Sequence, residues 1–374
     1  PLFCFMNFIP TKKEEQLMKI LAGSVMSKIK TKDAGPVLGG SGAKGTWLPG
    51  AHDIDIYVKF DYRKYRDKSD RLSDALEKGL RRSFRKIERL HGSRDYFQVK
   101  FGKTTVEIIP ILGIKKASQA KNITDVSQLH VNYVNKFPKL KNEIRKAKVF
   151  CKAAGVYGAE SYIQGFSGYL VELLVIKYGG FSNFAKNTAK WAEKTLIGNK
   201  KDIENLNEAK KISPLIFVDP VDSSRNAAAA LNEESFNKLI KACKSYVKSP
   251  SEKFFDVKDF DLKEIKKKFN LVFEVQPAKR GKHDIIGASL RKSFERLAFE
   301  LERNDFRILS KGWHWNKKAH FYFKIKNPTL PEEKEVIGPP LKLKEACENF
   351  KKYHKKTYVK KGRLCTKIKR RVIE

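Results

Sequence analysis

The pattern of hydrophobic and polar positions changes twice along the chain. Up to about residue 115, short alternating segments are mixed with amphipathic ones, which predicts a mixed α/β unit. From Lys139 to about Tyr246 apolar residues recur at helical spacing, and the remainder predicts a small α+β module. We therefore expect an α+β, multidomain protein with domains at 1–138, 139–252 and 253–374.

In the first domain, Thr11 and Glu14 form a capping box that begins a helix extending to about Lys30. A short apolar strand then leads into a turn of two glycines at Gly39 and Gly40. Three further elements are predicted: a strand over 53–60, a helix over 71–90 that stops before Gly92, and a hairpin over 96–101 and 104–112 around Gly102-Lys103.

The second domain is predicted to be helical. Leu140, Ile144, Ala147 and Cys151 share one helix face, and Gly155 ends that helix. Two further helices are predicted in this domain, over 166–178 and from 232 to before Pro250, and the first is apolar enough to lie in the core. In the third domain a helix is predicted over 289–303. Strands are predicted over 270–275, 306–311 and 320–326, and a very basic stretch follows Pro339-Pro340.

The charge of the chain says more about its binding partners than its hydrophobicity does. The 374 residues include 78 Lys and Arg against 42 Asp and Glu, a net charge of +36. Such a field attracts polyanions, nucleic acid first and an anionic membrane surface second. A surface made soluble by lysines is the alternative interpretation. No apolar run reaches the roughly 18 residues that a spanning helix needs, so we expect no membrane partner.

The five cysteines are far apart and include no CxxC pair, which argues against a zinc site or a disulfide scaffold and fits a reducing cytoplasm. Cys151 is expected to pack as a small apolar residue. The chain lacks an initial methionine, so we expect either that Met6 is the start or that the sequence is a fragment.

The candidate chemistry begins at the turn Gly39-Gly40-Ser41. Two glycines allow a close approach of the backbone to a ligand, and the Ser41 hydroxyl can face phosphate oxygens. Asp53 and Asp55 follow on a strand, where residues two apart point to the same face, roughly 7 Å apart. Paired carboxylates of this kind suit Mg²⁺, although solvated aspartates on an edge strand are the common alternative.

Glu107 offers a third carboxylate, because it interrupts an otherwise apolar strand. A carboxylate there is costly to desolvate unless it shares a metal or pairs with a lysine. Three carboxylates with two Mg²⁺ ions suit phosphoryl transfer, in which one metal activates a 3′-hydroxyl and the other holds the triphosphate. No GxxxxGK[ST] loop, GxSxG elbow or HExxH helix competes with this interpretation.

The stretch from Gly39-Gly40-Ser41 to Asp53-Ile54-Asp55 resembles the DNA polymerase β-like nucleotidyltransferases and, more narrowly, the archaeal class I CCA-adding enzymes. Further similar motifs are Tyr157-Gly158-Ala159-Glu160-Ser161, Gly165-Phe166-Ser167-Gly168-Tyr169-Leu170, Asp219-Pro220-Val221-Asp222 and Arg225-Asn226-Ala227-Ala228. The resemblance implies a polymerase β-like nucleotidyltransferase head, a helical neck, an α+β body and a tail. Because the chain stops just past Gly362-Arg363, we expect only a partial tail.

The resemblance also implies roles for single residues. Asp53 and Asp55 match the first two metal ligands, and Glu107 stands where the family usually has an aspartate. The residues that the resemblance assigns to the nucleotide are Ser41, Lys44, Ser127, His130, Lys148, Tyr157 and Arg225. Within this set, Lys148 and Tyr157 would hold the triphosphate, and Arg225 would help to read the base. Each residue also has an ordinary structural interpretation. Lys148 could be one lysine among several in a basic helix, and Tyr157 could serve only in packing.

The activity that the resemblance implies is template-independent addition of C, C and A to the 3′ end of tRNA, with CTP and ATP as substrates. A poly(A) or other terminal RNA nucleotidyltransferase is the nearest alternative, and the neck and Arg225 motifs argue against it. A non-catalytic RNA-binding relative is disfavoured by the intact aspartates, and a small-molecule transferase by the charge. The oligomeric state is left open by the sequence, with a homodimer as one option.

Overall fold

A computed structural model describes residues 8–50, 53–277, 283–316 and 318–369 of the chain. Its contacts divide the chain into two units, Pro1–Asp259 and Phe260–Glu374. The first unit contains both the α/β and the helical stretches expected from the sequence. The three boundaries given above stay a prediction.

The first unit combines an α/β part with a helical part. Its strands are β1 (Ala34–Leu38), β2 (Asp53–Phe60), β3 (Glu88–Leu90), β4 (Tyr96–Phe101), β5 (Thr104–Leu112), β6 (Thr195–Ile197) and β7 (Leu215–Phe217). Its helices are α1 (Lys12–Lys28), α2 (Gly40–Lys44), α3 (Tyr62–Tyr65), α4 (Leu72–Ser83), α5 (Ser127–Val134), α6 (Lys141–Ala153), α7 (Gly168–Tyr178), α8 (Phe181–Thr188), α9 (Lys200–Asn205) and α10 (Glu233–Lys248).

The first five strands form one sheet in the order β1-β2-β5-β4-β3. The predicted hairpin of β4 and β5 is confirmed, with Phe101 opposite Thr104. β5 also lies beside β2, and this pair is parallel while the others are antiparallel. The parallel register places Asp55 opposite Glu107, so residues from distant parts of the chain meet on neighbouring strands.

The two faces of β2 have different environments, as its alternation predicted. Ile54, Ile56 and Val58 are buried in the core with residues of α1, α4 and β5. Asp53, Asp55 and Tyr57 point to the other face, where Tyr57 packs with Ile111 of β5 and Val131 of α5. Because the apolar face is anchored in the core, the acidic face has a defined position in the fold.

The helical part has the largest core. Ile144, Ala147 and Cys151 of α6 are buried in it, and Leu140 packs against it, which confirms the predicted helix face. α7 begins at a capping bond from the Leu170 N–H to the Ser167 hydroxyl and ends at a left-handed glycine, Gly179. The short parallel pair β6 and β7 was not predicted, since three-residue strands leave little periodicity to detect.

The helix predicted over 71–90 is wrong in its second half. α4 ends at Ser83, and the last three predicted positions form β3. Arg89 of β3 forms ion pairs with Glu77 of α4 and with Asp95. These ion pairs, together with the antiparallel pairing of β3 with β4, outweigh the local helix preference of a basic segment.

The second unit contains two three-stranded antiparallel sheets, in the orders β8-β10-β9 and β11-β13-β12. Its strands are β8 (Leu271–Val275), β9 (Ile308–Trp315), β10 (Ala319–Ile325), β11 (Glu333–Pro340), β12 (Thr357–Lys360) and β13 (Arg363–Lys369). Its helices are α11 (Leu262–Lys268), α12 (His283–Arg303) and α13 (Lys344–Tyr353). The predicted α+β character is confirmed, although α12 begins earlier and β9 ends later than expected.

Two further observations concern the described residues. None of their helices combines the length and apolar character required to cross a membrane. The cysteines among them, Cys151, Cys243, Cys347 and Cys365, are all buried and free, and Cys151 packs as the small apolar residue that was expected.

Candidate active site

The acidic face of β2 carries the two predicted metal ligands. Asp53 is exposed and Asp55 is partly buried, and both lie on the face opposite the core. Burial raises the pKa of the Asp55 carboxyl, an effect that Asp53 increases and Lys44 opposes. Two like charges held on one strand beside a lysine form a site at which a cation would relieve repulsion.

The glycine turn is pressed against this face. Gly40 has a φ of +52°, and a Cβ added to it would lie 1.6 Å from Asp55 Oδ2. The Gly39 N–H donates to the Asp55 carbonyl at 2.8 Å, and the Gly40 N–H donates to the Tyr57 hydroxyl at 3.2 Å. Burial raises the pKa of Tyr57, and the Gly40 N–H and Ser127, the first residue of α5, oppose that change. A side chain at position 40 would therefore displace the Asp55 carboxylate.

Glu107 lies next to Asp55 in the parallel register and is partly buried. Its Oε1 accepts a hydrogen bond of 2.7 Å from Gln98 Nε2. Within the described part of the chain, no three His, Cys, Asp or Glu side chains are grouped closely enough to hold a metal ion. The donor types and the register suit Mg²⁺, and the role of Glu107 as third ligand stays a prediction.

Lys44 and Lys148, two of the predicted nucleotide contacts, meet at Glu172 of α7. Lys44 Nζ lies 2.6 Å from Glu172 Oε2, and Lys148 Nζ lies 2.8 Å from Glu172 Oε1. The Thr46 hydroxyl donates to Glu172 Oε1 at 2.6 Å. We call these four residues the Glu172 cluster. Glu172 is fully buried, and the lysines are 7% and 2% exposed, so the cluster reaches solvent only at its Lys44 edge.

The charges in the Glu172 cluster depend on one another. Burial by itself would raise the pKa of Glu172, but Lys148 and Lys44 lower it to about 2. Burial lowers the pKa of Lys148, and the attraction of Glu172 opposes that change. An ionised carboxylate between two ammonium groups leaves one net positive charge beside the acidic face of β2.

Tyr157 approaches the same cluster from the loop after α6. A Cβ added to Gly168 would lie 2.8 Å from the Tyr157 hydroxyl and 3.8 Å from Lys148 Cε. Burial raises the pKa of Tyr157. Ser41 lies in α2, partly buried, in the turn that precedes Lys44. The absence of a side chain at Gly168 thus allows the predicted tyrosine and lysine to come together.

His130 and Arg225 meet at a second buried carboxylate, Asp219. Arg225 Nη1 donates to Asp219 Oδ2 at 2.7 Å, and His130 Nε2 lies 3.1 Å from the same oxygen. The Tyr169 hydroxyl donates to Asp219 Oδ1 at 3.0 Å, and the Tyr169 ring stacks on His130 with ring centroids 4.0 Å apart. We call these four residues the Asp219 cluster.

Lys44 connects the acidic face of β2 with both clusters. Besides its pair with Glu172, its Nζ lies 5.5 Å from the centroid of the Tyr169 ring. Its charge also opposes the rise in the pKa of Asp55 that burial causes. Lys44 therefore links Asp55 with the Glu172 and Asp219 clusters, and the roles of these residues as metal, phosphate and base contacts stay predictions.

Glu172, Asp219, Tyr169 and Thr46 belong to this site without having been assigned a role from the sequence. One signal was available for Glu172, which is the only acidic residue in the apolar segment 168–178. Asp219 and Tyr169 lie inside the motifs quoted above, so their presence was noted but their partners were not. Only the packing of α5, α7 and the 219–225 loop brings these partners together.

Sequence models of three families match the chain in consecutive order. Residues 18–151 match the nucleotidyltransferase domain, residues 142–256 match the second domain of tRNA nucleotidyltransferase, and residues 266–374 match the C-terminal domain of CCA-adding enzyme. A CCA-adding enzyme of Nanoarchaeum equitans is 34% identical over 97% of this chain and 92% of its own length. The chain belongs to the CCA-adding enzyme family.

Other relatives agree with this assignment. A CCA-adding enzyme of Methanosarcina barkeri is 31% identical over 97% of this chain and 84% of its own length. Among solved structures, the Cid1 poly(U) polymerase with Mg 3′-dATP bound has a TM-score of 0.53 at 14% identity, covering 67% of this chain and 95% of that one. That likeness concerns the fold alone, and with the match of residues 18–151 to the nucleotidyltransferase domain it confirms the predicted nucleotidyltransferase architecture.

Proposed function

We propose that this protein adds C, C and A to the 3′ end of tRNA, using CTP and ATP and no nucleic-acid template. Membership of the CCA-adding enzyme family supports the activity. The observation that carries the proposal is the contact of Lys44 with both Glu172 and Tyr169, which joins a phosphate-binding region to a base-reading region beside Asp55. A nucleoside triphosphate has the same order of parts, with phosphates at one end and a base at the other.

Asp53 and Asp55 would hold Mg²⁺, with Glu107 as the third carboxylate. When bound, two such ions supply charge stabilisation for the triphosphate and lower the pKa of the RNA 3′-hydroxyl. The chain itself contributes the fixed position of these acids, because β2 is anchored in the core and the Gly40 backbone closes over Asp55. Ser41 and the backbone of the turn would contact phosphate oxygens.

The Glu172 cluster would serve the triphosphate. Its net positive charge favours an anion alongside the acids, and Tyr157 adds a hydroxyl at the edge of the cluster. The Asp219 cluster would serve the base and ribose, through His130 and the guanidinium of Arg225. An arginine presents several donors in one plane, which suits the acceptor atoms of C and A. Ser127 would contact the nucleotide from the start of α5, three residues before His130.

The net charge of +36 supports tRNA as the partner. Double-helical RNA is recognised mainly by its shape and backbone, so we expect the acceptor stem to be bound without a sequence code. Binding should weaken steeply with salt, as each neutralised phosphate contributes to the slope. We therefore expect the chain to act in the cytoplasm.

The deciding experiment is the sequence of the product. Purified protein is incubated with tRNA lacking its CCA end and with each nucleotide singly and together, and the products are sequenced. We expect C, then C, then A, and no further addition. Long A-tails or U-tails without C would establish the terminal transferase alternative instead.

A paired variant tests the metal assignment. Asp55→Asn should lower nucleotide incorporation by roughly a thousandfold or more, because the site loses a charged oxygen ligand. Asp61→Asn is the matched control, since Asp61 caps α3 at the other end of β2. Retained tRNA binding in Asp55→Asn would separate lost chemistry from lost folding, and full activity in this variant would refute the assignment.

A further inference from the structure

The two oxygens of Asp219 have different partners. Oδ1 accepts from the Val221 N–H at 2.9 Å and from the Tyr169 hydroxyl at 3.0 Å. Oδ2 accepts from Arg225 Nη1 at 2.7 Å and lies 3.1 Å from His130 Nε2. One oxygen therefore anchors the carboxylate to its own loop and to α7. The other holds the two side chains that face the proposed base position.

These contacts restrict both side chains. The guanidinium of Arg225 is held at one nitrogen and lies 5.8 Å from the centroid of the Tyr169 ring. The His130 ring is held at Nε2 and by its stack on Tyr169. Because the Asp219 oxygen beside Nε2 is an acceptor, a neutral imidazole carries its proton on Nε2. This leaves Nδ1 as an acceptor. Without Asp219, Arg225 would lose this anchor, and His130 would keep only its stack on Tyr169.

We propose that Asp219 is a positioning residue that sets base selectivity by fixing the orientation of Arg225 and His130. The inference rests on the proposed function, in which these two residues face the incoming base. C and A share an amino donor beside a ring-nitrogen acceptor, whereas U and G carry a carbonyl beside a ring N–H. A donor held at a fixed angle favours the first pair and opposes the second, and a mobile donor discriminates less.

The variant Asp219→Asn isolates this effect. Its amide oxygen can replace Oδ1 and keep the bonds from Val221 and Tyr169, while its NH₂ group replaces Oδ2 and presents a donor to Arg225 and His130. The change keeps the shape of the residue and removes the shared acceptor. Asp222→Asn is the matched control, because it makes the same change in the same loop, where the carboxylate accepts from Ser224.

Two selectivity ratios are measured. The first is kcat/KM for CTP divided by that for UTP, on tRNA lacking CCA. The second is kcat/KM for ATP divided by that for GTP, on tRNA ending in CC. We expect Asp219→Asn to lower these ratios by about tenfold or more, as the loss of a charge-assisted hydrogen bond implies, and Asp222→Asn to leave them within about twofold. An effect on triphosphate affinity changes kcat/KM by the same factor for all four nucleotides, so it cancels in each ratio. Unchanged ratios in folded Asp219→Asn, or an equal fall in Asp222→Asn, would overturn the proposal.

Thermal unfolding of each variant shows whether it is folded. If Asp219→Asn does not fold, Asp219→Glu takes its place, since it keeps the charge and moves the oxygens by one methylene. Lower ratios in that variant support the proposal, and unchanged ratios overturn it. The product sequence of the wild-type chain tests the proposed function separately. If other nucleotides are added, the ratio is taken between the nucleotide that the wild type adds and one that it rejects.

Discussion

The Glu172 and Asp219 clusters are each built around a fully buried carboxylate, but their partners differ in exposure. The side chains of Lys44 and Lys148 are 9% and 3% exposed, whereas those of Arg225 and His130 are 28% and 13% exposed. If Glu172 is removed, two charges stay buried without a counter-ion. If Asp219 is removed, its partners can turn towards water.

This difference predicts different consequences for similar substitutions. An unpaired charge sealed in the core costs stability, because desolvation is no longer compensated. A partly exposed arginine that loses its partner is rehydrated and mainly loses its orientation. We therefore expect stability to depend more on Glu172, and base selectivity to depend more on Asp219. Substitutions in the two clusters test this difference between stability and selectivity.

The largest effect is expected from Glu172→Gln. Removing the charge that holds both lysines should destabilise the protein by about 3–5 kcal/mol and raise the KM for CTP and ATP by similar factors. Calorimetry and steady-state kinetics measure the two effects. Glu193→Gln, an exposed residue of the same helical part, is the control. A KM change for only one of the two nucleotides would contradict a role confined to the triphosphate.

The stability that Glu172 provides should depend on pH. Its pKa is about 2 in the folded protein against an ordinary 4.5, so the folded state favours the ionised form. That stabilisation, about 3 kcal/mol by linkage, is complete above pH 4.5 and is lost as the pH falls towards 2. Urea unfolding of the wild type and of Glu172→Gln across this range should show their difference shrinking. A constant difference would contradict the ion-pair explanation.

Thr46→Val should have a smaller effect of the same kind. The Thr46 hydroxyl donates to Glu172 Oε1 and accepts from Lys148 Nζ at 3.1 Å. Valine has a similar shape without these bonds, and we expect a loss of about 2 kcal/mol. Thr46→Ser keeps the hydroxyl and should recover most of this stability. If the serine and valine variants unfold at the same temperature, the hydroxyl contributes little to the cluster.

The smallest effect is expected from Tyr169→Phe, which removes the bond to Asp219 Oδ1 and keeps the ring beside His130. We expect a cost of about 1 kcal/mol and a fall in nucleotide selectivity of about threefold, less than in Asp219→Asn. Tyr178→Phe on the same helix is the control, because its hydroxyl bonds Trp191 instead. If Tyr169→Phe lowers the selectivity ratios as far as Asp219→Asn does, the tyrosine rather than the carboxylate fixes the orientation of these side chains.

Local patterns were sufficient for most of the elements. The capping box of Thr11 and Glu14 begins α1 as expected, and the alternation along 53–60 correctly assigned the core and acidic faces of β2. The prediction failed over 84–90, where β3 pairs with β4 and Arg89 forms ion pairs with Glu77 of α4 and with Asp95. A helix preference is local, whereas these partners lie 6 and 12 residues from Arg89 and meet it only when α4 and β4 pack beside β3.

The sequence by itself determined the acids on β2, the glycine turn before them and the helix face of α6, because each depends on spacing within one element. It also carried the motifs that identify the family. Tertiary structure alone decided that Glu107 lies beside Asp55, that Glu172 unites Lys44 with Lys148, and that Asp219 unites His130 with Arg225. The physical reason is burial: a carboxylate taken out of water needs partners on every side, and only the folded chain brings those partners from separate elements.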